Sequence, residues 1–372
     1  MTGAEAELRF SRLVAALPAT VPFVPPEALE RRIGRTLALR IGANESAFGP
    51  SPKAIAAMQA GAAKVNWYCD PEGFVLREAL AKHHGVKREN IGLGAGIDDL
   101  LGLIVRAFVD PGDPVVMSHG GYPTFAFHVS GFGGRFIHVP YFDFHNDTEG
   151  LGNAARLSGS RLVYLSNPDN PTGSWLAREA QARLIDRLPK GTVLALDEAY
   201  SDFAPTDSLP EIDPEDPRVI RLRTFSKAHG MAGARIGYCI APAAIVAAFD
   251  KIRHHFGVAR LSQEAALASL GDQAFIASVA ARVAEGRADY AALARRLGLT
   301  TLPSATNFVA FDMGSGERAR ATLARLLEDE ACFLRMPGVA PLDRLVRVTV
   351  GTPPERQAFA AALARILPKL PN

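Results

Sequence analysis

Between residues 91 and 240, seven short apolar runs alternate with stretches of helical periodicity. The runs are Ile91–Leu93, Val115–Met117, Phe136–Val139, Leu162–Leu165, Val193–Leu196, Val219–Leu222 and Ile236–Ile240; Asp99–Phe108 and Ala177–Leu188 are two of the helical stretches between them. Continuous apolar runs of this length suit strands covered on both faces, and strands separated by helices favour crossover connections and parallel pairing. The pattern predicts an α/β fold with a mostly parallel, two-sided sheet. In such sheets ligands bind where loops leave the carboxyl ends of strands. Residues that directly follow a run are therefore the first place to look for chemistry.

The flanks read differently. Residues 18 to 50 are poor in periodicity and punctuated by Pro18, Pro22, Pro25 and Pro26, which predicts an extended arm across the body. Ser51-Pro52 opens a helix carried by Ala54 to Gln59, and a second helix over about 73–84 presents Leu76, Ala79 and Leu80. Beyond residue 260 the chain reads as helical from Ser262 to Leu297. A smaller strand-and-helix unit follows, with Asn307–Asp312, an amphipathic helix over Ala321–Glu330, Val346–Val350 and a last helix over Pro354–Leu367. With 372 residues, the length alone predicts two or three domains.

Composition excludes several classes. With 48% hydrophobic and 22% charged residues the chain has ample core material and is not disordered. Its 41 basic and 39 acidic residues lack the basic excess of a nucleic-acid binder. No stretch approaches 18 uninterrupted apolar residues, so no membrane span is predicted. The cysteines, Cys69, Cys239 and Cys332, have no metal or disulfide spacing, which predicts a reducing, cytoplasmic setting. Arg9 and Arg12 before Leu13–Leu17 imitate a signal peptide. The run is too short, however, Pro18 stops it, and Glu5 and Glu7 precede it.

Four strand-end motifs need one explanation. Gly92-Leu93-Gly94-Ala95-Gly96-Ile97-Asp98-Asp99 joins a strand to a helix and can lead a phosphate onto the helix N-terminus; it is not the dinucleotide GxGxxG. Asn167-Pro168-Asp169-Asn170-Pro171-Thr172-Gly173 is by itself a turn former. Asp197-Glu198-Ala199-Tyr200 suits a metal site, a ribose clamp or simply a helix cap. Thr224-Phe225-Ser226-Lys227, with Arg235 eight residues on, is more specific. Two hydroxyls and a guanidinium satisfy a phosphate dianion, and a strand-end lysine can hold an aldehyde as a Schiff base. Together they suit a phosphorylated aldehyde.

In this order the motifs resemble those of the fold-type I pyridoxal phosphate aminotransferases, most closely the histidinol-phosphate aminotransferase branch, from about Asn44 to Gly351. The resemblance implies an aspartate aminotransferase-like fold: a large domain with a mostly parallel seven-stranded sheet flanked by helices over 48–260. A smaller α+β domain is assembled from 1–47 and 261–372. It implies pyridoxal 5'-phosphate as cofactor, small amino acid and 2-oxo acid substrates, and a homodimer.

By the same resemblance Lys227 carries the cofactor and shuttles the proton, with its pKa lowered by burial and nearby positive charge. Asp197 pairs with the pyridinium nitrogen, while Asn170 and Tyr200 bond the phenolic oxygen. The backbone N–H groups of Ile97 and Asp98, with Thr224, Ser226 and Arg235, hold the phosphate. Tyr122 stacks on the ring, and Tyr68 reaches the neighbouring subunit's phosphate. Arg347 clamps the substrate carboxylate, Arg335 binds a side-chain anion or bridges domains, and Asn307 lines the pocket. The sequence departs from the family at Tyr68-Cys69-Asp70, at Asn44-Glu45-Ser46-Ala47 and at Phe125, where a proline, an Asn-Pro pair and a tyrosine are usual. A related decarboxylase of the threonine-phosphate type shares the cofactor residues. An NAD-dependent oxidoreductase leaves Lys227 and Arg235 without a role.

Overall fold

The computed structural model describes residues 9–18 and 23–371. All seven expected strands form, and they make one sheet. Its order is Ile91–Gly94, Gly237–Ile240, Val219–Thr224, Val193–Asp197, Leu162–Ser166, Pro114–Ser118 and Arg135–Val139. Every pairing is parallel except the two made by Gly237–Ile240, which runs against both neighbours. The central strands Leu162–Ser166 and Val193–Asp197 are buried throughout, as the absence of alternation in their sequences requires.

Two apolar layers cover the sheet. On one face the helix Ile97–Phe108 packs Leu100, Leu101 and Ile104 against Val115, Leu162 and Ala195. On the other, the helices Thr148–Ser158 and Arg178–Arg187 bury Leu151 and Leu184 against Val116, Val163 and Leu194.

A second, antiparallel sheet orders Leu345–Thr349, Phe308–Asp312 and Thr300–Thr301. It shares a core with the helices Gln273–Arg296, Gly316–Glu330 and Pro353–Ile366, and that core reaches Leu39, Ile41 and Tyr200. The helix Arg260–Leu270 begins at the expected boundary of the large unit, yet packs Ala265 and Ala266 against Ala54, Leu76 and Leu80 of that unit. Small side chains permit this approach: a Cβ added to Gly61 would run into Glu264 and Leu261.

The arm differs from its reading. Pro26 does not extend the chain but opens a helix, Pro26–Ile33, closed by the left-handed Gly34. Proline is favourable in a helix's first turn, where its missing N–H is not needed. That helix buries Leu29 against Leu327 and Phe333. A five-residue helix, Arg12–Ala16, takes up the apolar run after Arg12, with Ser11 as its cap. Pro22, Glu5 and Glu7 lie outside the described residues. Among the described residues no helix is long and apolar enough to cross a membrane.

Candidate active site

The strand ends Ser166, Asp197 and Thr224 open into a cavity of about 350 Å³. The second sheet and the arm close its far side. Twelve of the residues singled out from sequence line it: Ile97, Asp98, Tyr122, Asn170, Asp197, Tyr200, Thr224, Ser226, Lys227, Arg235, Arg335 and Arg347.

One end is built for an anion. Gly96 takes a positive φ of 88°, and a Cβ there would collide with the Arg235 guanidinium, so only glycine lets the arginine lie against this turn. The helix Ile97–Phe108 starts directly after it, and its first N–H groups have no intrahelical partner. Thr224 Oγ1 lies 2.9 Å from Ser226 Oγ, and both hydroxyls face the same corner. Arg235 donates to the carbonyls of Ala232 and Ala95, at 3.0 and 3.3 Å, and its guanidinium lies 3.9 Å from Asp98 Oδ2. Tyr122 closes this end by donating to Asp98 Oδ1 at 2.8 Å.

Asp197 sits deeper. Its carboxylate accepts from Tyr164 Oη at 2.8 Å and from the Ala199 N–H at 3.0 Å. Burial pushes its pKa up to about 6, and those two donors hold it from rising further. Glu198 turns to the opposite side of the strand. There it is fully buried between Arg221 at 2.5 Å and Arg223 at 3.0 Å. The acidic pair therefore does not act as a unit, because neighbouring residues of a strand face opposite ways.

Lys227 Nζ donates to the Asn44 carbonyl at 3.1 Å and lies 5.6 Å from the Tyr200 ring centroid. Burial, and secondly the Arg347 charge, lower its pKa to about 8. Arg347 is half-buried, donates to Asn170 Oδ1, and keeps its Nε buried without a partner. Its lowered pKa has burial as the cause, yet a guanidinium stays charged at any working pH. Arg335 lies 4.6 Å above the Phe23 ring and donates to the Val24 carbonyl at 3.2 Å.

Two sequence expectations fall outside this wall. Asn307 is buried but does not line the cavity; its amide donates to the Asn44 carbonyl at 3.0 Å, which leaves the pocket-facing place to Asn44. Tyr68 is 79% exposed, its ring tilted against Phe256 with centroids 4.6 Å apart, and does not reach the cavity of its own chain. Tyr164, Asn44 and Phe23 are among the wall residues that escaped the reading. Tyr164 lies two residues before Ser166 on one strand, so period-two alternation could have placed it beside Asp197. Asn44 stood out only as a departure from a motif, and Phe23 carried no signal. Phe125 is buried, stacks on Tyr164 at 4.5 Å and does not line the cavity. Away from the cavity, His84 is half-buried and 2.8 Å from Tyr238 Oη.

An anion corner, a buried carboxylate and a lysine with weakened proton affinity fit a phosphorylated pyridine aldehyde. A family model for aminotransferase class I and II matches residues 38–363. The chain belongs to that family. It is 37% identical to histidinol-phosphate aminotransferase of Roseiflexus castenholzii over 95% of its length and 96% of the relative's. The crystal structure of histidinol-phosphate aminotransferase from Sinorhizobium meliloti in complex with pyridoxal-5'-phosphate matches with a TM-score of 0.94 and 49% identity. That match covers 98% of this chain and 99% of the other. L-threonine-O-3-phosphate decarboxylase from Porphyromonas gingivalis has a TM-score of 0.75 at 23% identity, over 89% and 99% of the two chains, a likeness of fold alone. The protein is thus a pyridoxal 5'-phosphate-dependent aminotransferase of fold type I.

Proposed function

We propose that this aminotransferase moves an amino group between a histidinol phosphate-like amine, or an amino acid, and a 2-oxo acid in a ping-pong cycle. The observation that carries the reading is Arg347. It is a half-buried arginine whose Nε is buried with no partner, set beside the lysine whose proton affinity it helps to lower. Such a group awaits a carboxylate. The named relatives support the choice of amine.

In this reading Thr224, Ser226, Arg235 and the N–H groups of Ile97 and Asp98 hold the cofactor phosphate. Asp197 pairs with the ring nitrogen, Tyr122 stacks on the ring, and Asn170 and Tyr200 bond its phenolic oxygen. Pyridoxal phosphate, when bound, supplies an electron sink for the bond broken at the substrate α-carbon. The rest falls to the chain. Tyr164 and the Ala199 N–H keep Asp197 ionised near neutrality. A Lys227 pKa of about 8 leaves roughly a tenth of its amine unprotonated at pH 7, about 300-fold more than an ordinary lysine offers. The amine can therefore take a proton and return it. Arg335 receives the side-chain anion of the amine.

The reading extends to assembly. Tyr68 reaches the phosphate of a second copy in a homodimer, the large domain covers 48–260, and the small one combines 1–47 with 261–372. Three cysteines free of disulfides fit a cytoplasmic setting.

A donor panel tests the substrate. Histidinol phosphate should bleach the visible band of the cofactor-loaded enzyme and regenerate it with 2-oxoglutarate. If only other amino acids do so, the substrate assignment fails. Carbon dioxide released without a pyridoxamine form would identify a decarboxylase.

A further inference from the structure

We infer that Asn44 is a positioning residue for this site: it fixes which way the Tyr200 hydroxyl donates and where the Lys227 amine rests. The inference rests on the roles proposed for Lys227 and Tyr200.

Asn44 is 3% exposed and holds a left-handed backbone, with φ 56°. Five hydrogen bonds surround it. Its N–H donates to Thr349 Oγ1 at 3.0 Å, and its Oδ1 accepts weakly from that same hydroxyl at 3.4 Å. Its Nδ2 donates to Tyr200 Oη at 3.0 Å. Its carbonyl accepts from Lys227 Nζ at 3.1 Å and from Asn307 Nδ2 at 3.0 Å. The left-handed conformation turns the carbonyl and the side chain toward the cavity together, a geometry asparagine tolerates better than most residues.

The direction of these bonds matters. Thr349 Oγ1 accepts from the Asn44 backbone and donates to Oδ1, so the Asn44 amide presents its NH₂ to Tyr200. Tyr200 Oη accepts there, and its own proton is left to point into the cavity. An accepted bond also polarises a hydroxyl and makes it a stronger donor. Thr349 lies two residues from Arg347 on one strand, hence on the same face. Asn44 thereby ties the arginine strand to both the lysine and the tyrosine. Arg347, Asp98, Glu45 and Asp197 are the charged groups that bear on Lys227, and Tyr200 faces it with its ring.

Asn44→Gly and Asn44→Asp separate these roles. Glycine keeps the left-handed backbone, and so the carbonyl, but removes the donor to Tyr200. Aspartate cannot donate, so Tyr200 must give its proton to Asn44's replacement, and a negative charge arrives near Lys227. A donor aimed at a bound chromophore favours the more negative of its protonation states. Weakening it in Asn44→Gly should raise the pH midpoint of the visible band by about 0.7 unit, the equivalent of one ordinary hydrogen bond. Asn44→Asp should raise it further.

The second readout needs no cofactor. In cofactor-free protein, the pH profile of Lys227 acylation, followed by peptide mass spectrometry, should be unchanged in Asn44→Gly. In Asn44→Asp it should shift upward. A residue that merely stabilises the fold would lower the melting temperature and move neither midpoint, and that result overturns the inference. So does an Asn44→Gly enzyme whose visible midpoint stays at the wild-type value. Wild-type protein with no visible band attached to Lys227 would overturn the underlying reading as well, which distinguishes the two failures.

Discussion

Replacing Lys227 by methionine should make the cofactor-free protein more stable. The lysine's pKa falls from 10.5 to about 8 because its ammonium is buried beside Arg347. At pH 7 the folded chain still holds that proton, against its preference, while the unfolded chain holds it freely. At 1.36 kcal/mol per unit, a shift of about 2.5 units costs the fold about 3 kcal/mol. Methionine has a similar stem without the charge. It loses one hydrogen bond, to the Asn44 carbonyl, which Asn307 continues to satisfy. Discounting about 1 kcal/mol for that bond leaves a net gain of about 2 kcal/mol. An unfolding entropy of about 2.1 cal/mol/K per residue over the whole chain converts this to a rise of about 3 °C in Tm.

The sign has its own pH dependence. Between pH 8 and 10.5 the unfolded chain binds more protons than the folded one, so wild-type stability grows with pH there. The advantage of Lys227→Met should shrink accordingly, falling below half its neutral value by about pH 9.5. Thermal melts of both cofactor-free proteins at pH 7 and pH 9.5 provide the assay. Equal melting temperatures at pH 7, or an advantage that does not decline with pH, would falsify the claim that Lys227 is held charged at a cost.

Three further expectations concern the holoenzyme. Tyr164→Phe removes a donor from ionised Asp197, so the Asp197 pKa should rise from about 6 and the acid limb of the kcat/KM profile should move up by about one unit; an unmoved limb would exclude Tyr164 as its support. Arg347→Lys should raise KM for the 2-oxo acid by roughly 10- to 100-fold, because a lysine cannot reproduce the planar fork; saturation kinetics with an unchanged KM would remove Arg347 from carboxylate binding. Tyr68→Ala and Lys227→Ala subunits, each impaired alone, should recover activity on mixing if Tyr68 serves a second copy's site. No recovery in verified heterodimers counts against that contribution.

Much of this site was legible because strand ends announce themselves. Each of the seven apolar runs became a strand, and the residues following Leu165, Leu196 and Leu222 lie around one cavity. The arm was misread at Pro26 because proline interrupts helices and also begins them, and only the packing of Leu29 on Phe333 decides which applies. Asn307 lies one layer behind the wall it was expected to line, since a strand-end asparagine gives no hint that another asparagine will stand in front of it.

Sequence alone carried the layered α/β architecture and strand-end residues that suit a phosphorylated aldehyde, because apolar periodicity and motif spacing are local properties; the cofactor itself was what the family resemblance implied. The near balance of 41 basic and 39 acidic residues also argued against a broad basic surface. Tertiary structure decided what each group can do. It separated Asp197 from Glu198, gave Asp197 the Tyr164 hydroxyl, and brought Asn44, 183 residues distant in sequence, to the Lys227 amine. Proton affinity and donor direction depend on burial and on neighbours far away in the chain, and those exist only once the chain has closed around them.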